Sequence, residues 1–195
     1  NREGLNSAFD ITNQMVGIMV RRGTVESKKH LQPGDVLLGV ASNGPHTNGY
    51  SMLRKLFDWL PMETTPPGFD EPLGTTLLKP HRNYLPVLDK VLQSGSVKAL
   101  AHITGGGLTE NPPRVLPEGL ACEIDLGAWT LPPVFRWLAT TANMSEPELL
   151  KTFNCGIGFI LAVPAAAADA DVDILSVQKT QQWETPPQVW EYVSA

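Results

Sequence analysis

The sequence has few cysteines, no excess of basic residues and no long apolar run. Two cysteines in 195 residues cannot form a disulfide framework, so we expect a protein of a reducing compartment, the cytoplasm. The apolar runs fall far short of the roughly 20 residues that a membrane span needs, which argues against a membrane protein. The net charge is −5, with lysine and arginine scattered, so we expect no nucleic-acid partner.

Common nucleotide and metal signatures are missing as well. Neither the Walker A pattern nor G-x-G-x-x-G occurs, which argues against a self-contained P-loop or Rossmann site. No C-x-x-C or H-x-x-x-H spacing supports a metal site built by this chain alone.

What the sequence does contain is typical of a globular protein, with 42% hydrophobic and 18% charged residues. We find no internal repeat and predict a single domain over residues 1–195. Periodicity and turn residues predict strands at 11–20, 36–40, 97–103, 122–126, 159–163 and 189–193. They predict helices at 50–60, 83–93 and 165–175, one opened by Pro132-Pro133, and one begun by the capping box of Ser145 and Glu148. Because strands and helices do not alternate strictly, we predict a layered α+β sandwich with helices packed on a mixed sheet.

Three loops rich in glycine, asparagine, serine and histidine adjoin predicted strands, and we call them the first (42–49), second (102–111) and third (154–158) loops. If their strands are neighbours, the loops line one rim of the sheet, where ligands gather in layered folds. The second loop contains Gly105-Gly106-Gly107, which we call the glycine turn. It either cradles an anion with backbone N–H groups or makes a tight turn without a ligand.

The histidines divide by their surroundings. His46, between small loop residues, is predicted to be exposed, either contacting a phosphate and exchanging protons or making local hydrogen bonds. His102 lies in an apolar strand, where a buried core histidine is the common outcome, but Thr104 points to the same side at the strand end. His30 and His81 have no recognisable partners and are predicted to be surface residues.

Other polar side chains leave alternatives open. Cys155 is a nucleophile or a small residue in a tight turn, and we favour the turn; Cys122 alternates inward and is predicted to be core. Glu110, Asn111 and Arg114 could hold a substrate or a magnesium-bound water, or cap local structure.

Several motifs, taken in order, resemble the C-terminal domain of aminoimidazole ribonucleotide synthetase, also called phosphoribosylformylglycinamidine cyclo-ligase. They are Gly34-Asp35-Val36-Leu37, Ser42-x-Gly44-x-His46-x-Asn48-Gly49-Tyr50-Ser51, Ala101-His102-Ile103-Thr104-Gly105-Gly106-Gly107-Leu108-Thr109-Glu110-Asn111, Pro132-x-Val134-Phe135-x-Trp137-Leu138 and Thr152-Phe153-Asn154-Cys155-Gly156-Ile157-Gly158. The resemblance runs from about residue 10 to residue 163 and implies the same layered α+β fold.

The resemblance implies an enzyme of purine biosynthesis. In that family, ATP activates the formyl amide oxygen of formylglycinamidine ribonucleotide, a nitrogen attacks to close the imidazole ring, and phosphate leaves. It also implies ATP and Mg²⁺ held mostly by an N-terminal domain that this chain lacks, a cleft between the two domains, and a homodimer of the full-length enzyme.

The resemblance assigns catalysis to His46 and His102. It assigns substrate and phosphate binding to residues of the three loops and their vicinity, namely Ser42, Asn48, Gly49, Thr104, Gly105, Gly106, Gly107, Asn111, Arg114, Asn154 and Gly156. The alternatives are a related ATP-dependent enzyme acting on selenide, thiamine phosphate or hydrogenase-maturation substrates, a hydrolase using Cys155 with His46 or His102, and a non-catalytic binding module.

Overall fold

The computed structural model describes residues 14, 28–57, 60–177 and 189–192, so the strand predicted over 11–20 lies outside the described residues apart from Gln14. Four strands form one sheet: β1 (Val36–Ala41), β2 (Ala99–His102), β3 (Ile157–Val163) and β4 (Val189–Tyr192). Their order across the sheet is β2-β3-β1-β4, which places β4 at an edge as predicted for this segment.

The sheet of described strands is antiparallel, whereas the sequence predicted a mixed sheet. β3 pairs antiparallel with both β1 and β2, and β4 pairs antiparallel with β1. β1 and β2 run in the same direction, but β3 lies between them and separates them. Periodicity identifies strands and not their neighbours, so the sequence could not exclude a parallel pair.

Helices surround this sheet, and their bounds follow the sequence signals closely. The α-helices are α1 (Tyr50–Phe57), α2 (Leu73–Leu77), α3 (Leu85–Ser94), α4 (Gly107–Glu110), α5 (Pro133–Thr141), α6 (Glu146–Thr152) and α7 (Ala165–Val177), with 3-10 helices at Lys28–His30 and Pro112–Val115. Glu148 Oε2 accepts from Ser145 N at 2.9 Å and from Ser145 Oγ at 2.7 Å, which confirms the capping box. Within the described residues, no helix is long and apolar enough to span a membrane.

The core lies on both faces of the sheet, as a layered α+β fold requires. Leu37 belongs to the hydrophobic cluster that contains Phe135 of α5 and Leu149 of α6, whereas its neighbour Leu38 belongs to a second cluster with Val91 of α3. Successive strand side chains point to opposite faces, so one strand serves both layers. The predicted α+β class is confirmed.

The strand predicted at 122–126 is absent, because this segment pairs with no described strand. It leads into a turn in which Asp125 Oδ1 accepts from Gly127 N at 2.8 Å. Cys122 and Ile124 are partly buried against the first core cluster, which explains their alternation without a sheet. Cys122 therefore lies at the margin of the core rather than inside it.

Candidate functional site

The three loops meet at one rim of the sheet, as predicted. β1 and β2 end at the edge where the antiparallel strand β3 begins, so their loops become neighbours. Ser42 N donates to Gly156 O and Ile103 N donates to Gly158 O, both at 2.8 Å. The third loop therefore lies between the other two and is bonded to both.

Asn154 fastens the first and third loops to each other. Its Oδ1 accepts from Ser42 Oγ at 2.9 Å and from Gly156 N at 2.9 Å, and its Nδ2 donates to Gly44 O at 2.8 Å. The residue is almost fully buried. The polar groups of Ser42 and Asn154 are therefore bonded within the protein, and these hydrogen bonds set the shape of the rim.

Much of the glycine turn is explained by internal packing. Gly106 has φ 99°, and a Cβ there would lie 2.7 Å from side-chain atoms of Glu110. Gly107 has φ 54°, and a Cβ there would overlap Leu150 O and lie 2.7 Å from Phe153 O. Gly107 therefore lets α6 contact the backbone of α4, which only glycine permits.

Asn111 closes this turn from within. Its Nδ2 donates to Gly107 O at 2.8 Å and lies within 3.4 Å of the carbonyls of Thr104 and Gly105, while Thr104 Oγ1 donates to its Oδ1 at 3.2 Å. Asn111 is buried, so these bonds satisfy an amide that water cannot reach. Its structural role is to hold the glycine turn.

The exposed residues of the second loop include His102, Gly105 and Thr109, and Arg114 is exposed just beyond it. A Cβ at Gly105 would lie 3.6 Å from Asn48 Oδ1, an ordinary contact across to the first loop. Glu110 is paired with Lys151, with Oε1 and Nζ 3.0 Å apart. In the first loop, Gly49 has φ 81°, and a Cβ there would overlap the Phe153 ring.

His46 is buried, so the prediction of an exposed loop histidine was wrong. The residue has φ 57° and only 6% of its surface exposed. This left-handed turn directs the ring inward, where Nε2 lies 3.0 Å from Asn43 Oδ1. Asn43 Nδ2 donates to Pro80 O at 2.9 Å, which fixes the orientation of the amide.

This bonding pattern sets the tautomer and charge of His46. Because Asn43 Oδ1 is an acceptor, Nε2 carries the proton and Nδ1 carries the lone pair. Nδ1 is buried without a hydrogen-bond partner among the described residues. Burial, followed by the positive charges available on His81, His102 and Arg82, lowers the pKa of His46 to about 3, so the ring stays neutral near neutral pH.

Two further histidines lie beside it, and we call His46, His81 and His102 the histidine cluster. The His81 ring stacks on His46 with centroids 3.9 Å apart and planes at 28°, and meets His102 edge to face at 5.3 Å. His81 is exposed, as predicted for a surface residue, but it has ring partners that the sequence did not reveal. His81 follows Pro80 in the segment between α2 and α3, and only the tertiary fold brings it to the rim.

His102 is exposed, so of the two alternatives the structure excludes the buried core histidine. It is the last residue of β2 and the exposed one, because it lies at the end of the strand. Its ring stacks on Phe159 of β3 with centroids 4.4 Å apart and planes at 3°. Desolvation lowers the pKa of both His81 and His102.

Arg82 and Tyr84 complete the surroundings of the cluster, and sequence reasoning missed both. Arg82 Nη1 and Tyr84 Oη each donate to Ala41 O, at 3.0 and 3.1 Å. Burial raises the pKa of Tyr84, so its phenol stays protonated. The signal in the sequence was Pro80-His81-Arg82-Asn83-Tyr84, a polar and aromatic run between two helices.

Cys155 has the structural role that the sequence favoured. It is fully buried with φ 51°, and burial, with Glu146 adding to it, raises its thiol pKa to about 12. A protonated, inaccessible thiol is a poor nucleophile. Within the part of the chain that the structure describes, no group of three or more His, Cys, Asp or Glu side chains could hold a metal ion.

The fold and the rim define a class of protein. It is a layered α+β domain in which three loops at one rim of the sheet, with turns that require glycine, surround a cluster of histidines. Residues 32–184 match the family described as AIR synthase related protein, C-terminal domain. The chain belongs to this family, as its ordered motifs led us to expect.

Relatives agree with this assignment. The chain is 42% identical over 176 residues to a phosphoribosylformylglycinamidine cyclo-ligase of Methylobacillus flagellatus, covering 90% of this chain and 51% of that protein. It thus spans about half the length of this relative.

Solved structures show the same fold. Escherichia coli HypE, a hydrogenase maturation protein, gives a TM-score of 0.55 at 19% identity, covering 86% of this chain and 46% of the other. A HypE-HypF complex gives 0.53 at 17% identity, covering 86% and 49%.

Proposed function

We propose that this chain is the C-terminal half of a cytoplasmic phosphoribosylformylglycinamidine cyclo-ligase. The enzyme would convert formylglycinamidine ribonucleotide and ATP to aminoimidazole ribonucleotide, ADP and phosphate. The observation that carries the proposal is the 42% identity to a cyclo-ligase over 90% of the chain. An N-terminal half would complete the cleft and form the homodimer, and residues 1–195 would act as one domain.

The rim suits the electrostatic demands of such a reaction. Phosphoryl transfer to the formyl amide oxygen places negative charge on phosphoryl oxygens, which hydrogen-bond donors stabilise. His102 is exposed at the end of β2 and can donate to such an oxygen. His46 is neutral and buried, so its contribution would be to position His81, on which it stacks.

The loops would supply further contacts to substrate and phosphate. Gly105 and Arg114 are exposed, and Asn48 lies across from Gly105. Asn154, Asn111 and Gly107 would act by shaping these loops. The two amides are bonded to backbone carbonyls, and the backbone of α6 fills the space beside Gly107. Mg²⁺ and most of the ATP contacts would come from the N-terminal half. The isolated chain would then bind phosphorylated ligands without turnover.

The test is reconstitution. The chain would be mixed or fused with the N-terminal half of the Methylobacillus flagellatus relative, and ATP-dependent formation of aminoimidazole ribonucleotide would be measured. We expect activity only when both halves are present. His102→Asn should lower kcat by about a hundredfold or more, as removal of a transition-state donor does. The matched control is His30→Asn at an exposed site in the 3-10 helix Lys28–His30.

Two results would count against the proposal, the first against the reaction and the second against the role of His102. One is a correctly folded two-half enzyme that consumes no formylglycinamidine ribonucleotide but acts on a selenide, thiamine phosphate or hydrogenase-maturation substrate. The other is full turnover by the His102→Asn enzyme, which would remove His102 from the chemistry.

A further inference from the structure

The histidine cluster presents two imidazoles to solvent, each lying against an inner aromatic ring. His81 lies on His46 and His102 lies on Phe159, with centroid distances of 3.9 and 4.4 Å. The two outer rings meet at 5.3 Å with their planes at 76°. They therefore form an open corner at the rim.

The inner rings favour positive charge on the outer ones. The face of a phenyl ring attracts a cation placed over it, as His102 is placed on Phe159. Phe159 is always neutral, and His46 stays neutral because Asn43 fixes its tautomer and burial opposes its protonation. The outer rings can become charged, whereas the rings beneath them do not.

In the described part of the chain, the charges that act on His46 are all of one sign. The groups that act on His46 are His81, His102 and the Arg82 guanidinium, all of them cationic when charged. Tyr84 is the other ionisable group against His46, and it stays protonated. Several cationic groups held together oppose each other's protonation, and an anion placed among them reverses that effect.

We infer that His81 and His102, with Arg82 beside them, form a subsite for a phosphate dianion, and that the two imidazoles take up protons when the anion binds. His81 is the new binding residue, and His46 and Phe159 position the pair. The identification of the anion as a nucleotide phosphate rests on the proposed function, but the anion subsite does not.

The test uses sulfate as the probe, since its charge does not change between about pH 5.5 and 8, where histidines titrate. NMR of the histidine ring C–H resonances would follow each pKa with and without sulfate. Calorimetry in buffers of different ionisation enthalpy would count the protons. We expect sulfate to raise the pKa of His81 and His102. As the pH rises above the pKa of the free imidazoles, the affinity for sulfate should fall about tenfold per pH unit for each proton taken up.

Three variants separate charge from stacking. His81→Asn should weaken sulfate binding roughly tenfold, the usual loss for a charge-assisted hydrogen bond, and remove about one proton from the uptake. His81→Phe keeps a ring on His46 without the charge and should behave as His81→Asn does. His30→Asn should bind as the unsubstituted chain does. Sulfate affinity unchanged in His81→Phe, or histidine resonances unmoved by sulfate, would overturn the inference.

Reconstituted turnover distinguishes this inference from the proposed function. If sulfate binds with proton uptake but the two-half enzyme forms no aminoimidazole ribonucleotide, the subsite stands and the proposed function fails. If turnover is normal and His81→Phe leaves both the sulfate affinity and the KM of both substrates unchanged, the proposed function stands and the subsite is wrong.

Discussion

The glycine turn and the histidine cluster lie on the same rim but use their residues in opposite ways. In the glycine turn, the space at Gly107 is filled by α6, and the Asn111 amide is bonded to carbonyls of the turn. In the histidine cluster, two rings are exposed and the buried Nδ1 of His46 has no hydrogen-bond partner among the described residues. A conspicuous motif can thus serve packing, while residues scattered along the sequence gather at the site for which we propose a chemical role.

The largest effect should follow from Gly107→Ala. The new Cβ would overlap Leu150 O, and alanine disfavours φ 54°, so α4 and α6 must separate. We expect a loss of about 4 kcal/mol or more in the free energy of unfolding, measured by denaturant titration. Gly105→Ala is the matched control in the same motif, and it should cost about 1 kcal/mol or less. Equal losses in both variants would contradict the packing role of Gly107.

Acid should destabilise the protein through the histidine cluster. The pKa of His46 is about 3 in the folded state, below its usual 6.5, so the unfolded state binds more protons between these values. Stability should be fully present above about pH 6.5 and fall by about 2–4 kcal/mol as the pH decreases towards 4. His81 and His102 shift in the same direction.

The variant that tests this pH dependence is His46→Asn, because asparagine tolerates a positive φ and does not titrate. Its stability should change less between pH 6.5 and 4 than that of the unsubstituted chain, by thermal or denaturant unfolding at each pH. An equally steep curve in His46→Asn would assign the acid sensitivity to other groups.

Substitution of Asn111 should cost less stability than Gly107→Ala, and the cost should depend on whether the new side chain can donate hydrogen bonds. Asn111→Ala leaves buried carbonyls of the glycine turn without the Nδ2 donor and should cost about 2 kcal/mol. Asn111→Asp should cost more, because a carboxylate would face those carbonyls. If Asn111→Asp were as stable as the unsubstituted chain, the amide would not hold the turn through its N–H groups.

The cysteines should show the smallest functional effect. Cys155 is fully buried with its pKa raised to about 12, whereas Cys122 is partly exposed. Iodoacetamide should therefore alkylate Cys122 faster in the native chain, and Cys155→Ala should leave reconstituted turnover within about twofold. Rapid labelling of Cys155 with loss of activity would instead support the alternative of a hydrolase with Cys155 as its nucleophile.

Much of the fold could be predicted because local signals agreed with tertiary structure. The capping box at Ser145, the apolar run of β3 and the prolines that open α5 each specify an element by local chemistry. The segment 122–126 failed because alternation reports one buried face, which a loop lying on the core also has. The relative direction of the strands could not be predicted from the sequence, because the pairing of β1 with β3 joins residues that are distant in sequence.

The site was only partly predictable for a related reason. The loops converge as expected, because each adjoins a strand of the same sheet. The burial of His46 depends on its positive φ and on Asn43, and the place of His81 in the cluster depends on a contact between separate loops. Such contacts leave no spacing pattern in the sequence.

The most direct test of the account is the position of an anion in crystals of this chain grown with sulfate or its heavier analogue selenate, located by anomalous scattering. We expect the anion to lie within hydrogen-bond distance of the His81 and His102 rings, beside Arg82. An anion held by the backbone N–H groups of Gly105–Gly107, away from both rings, would contradict it and return the chemistry to the glycine turn.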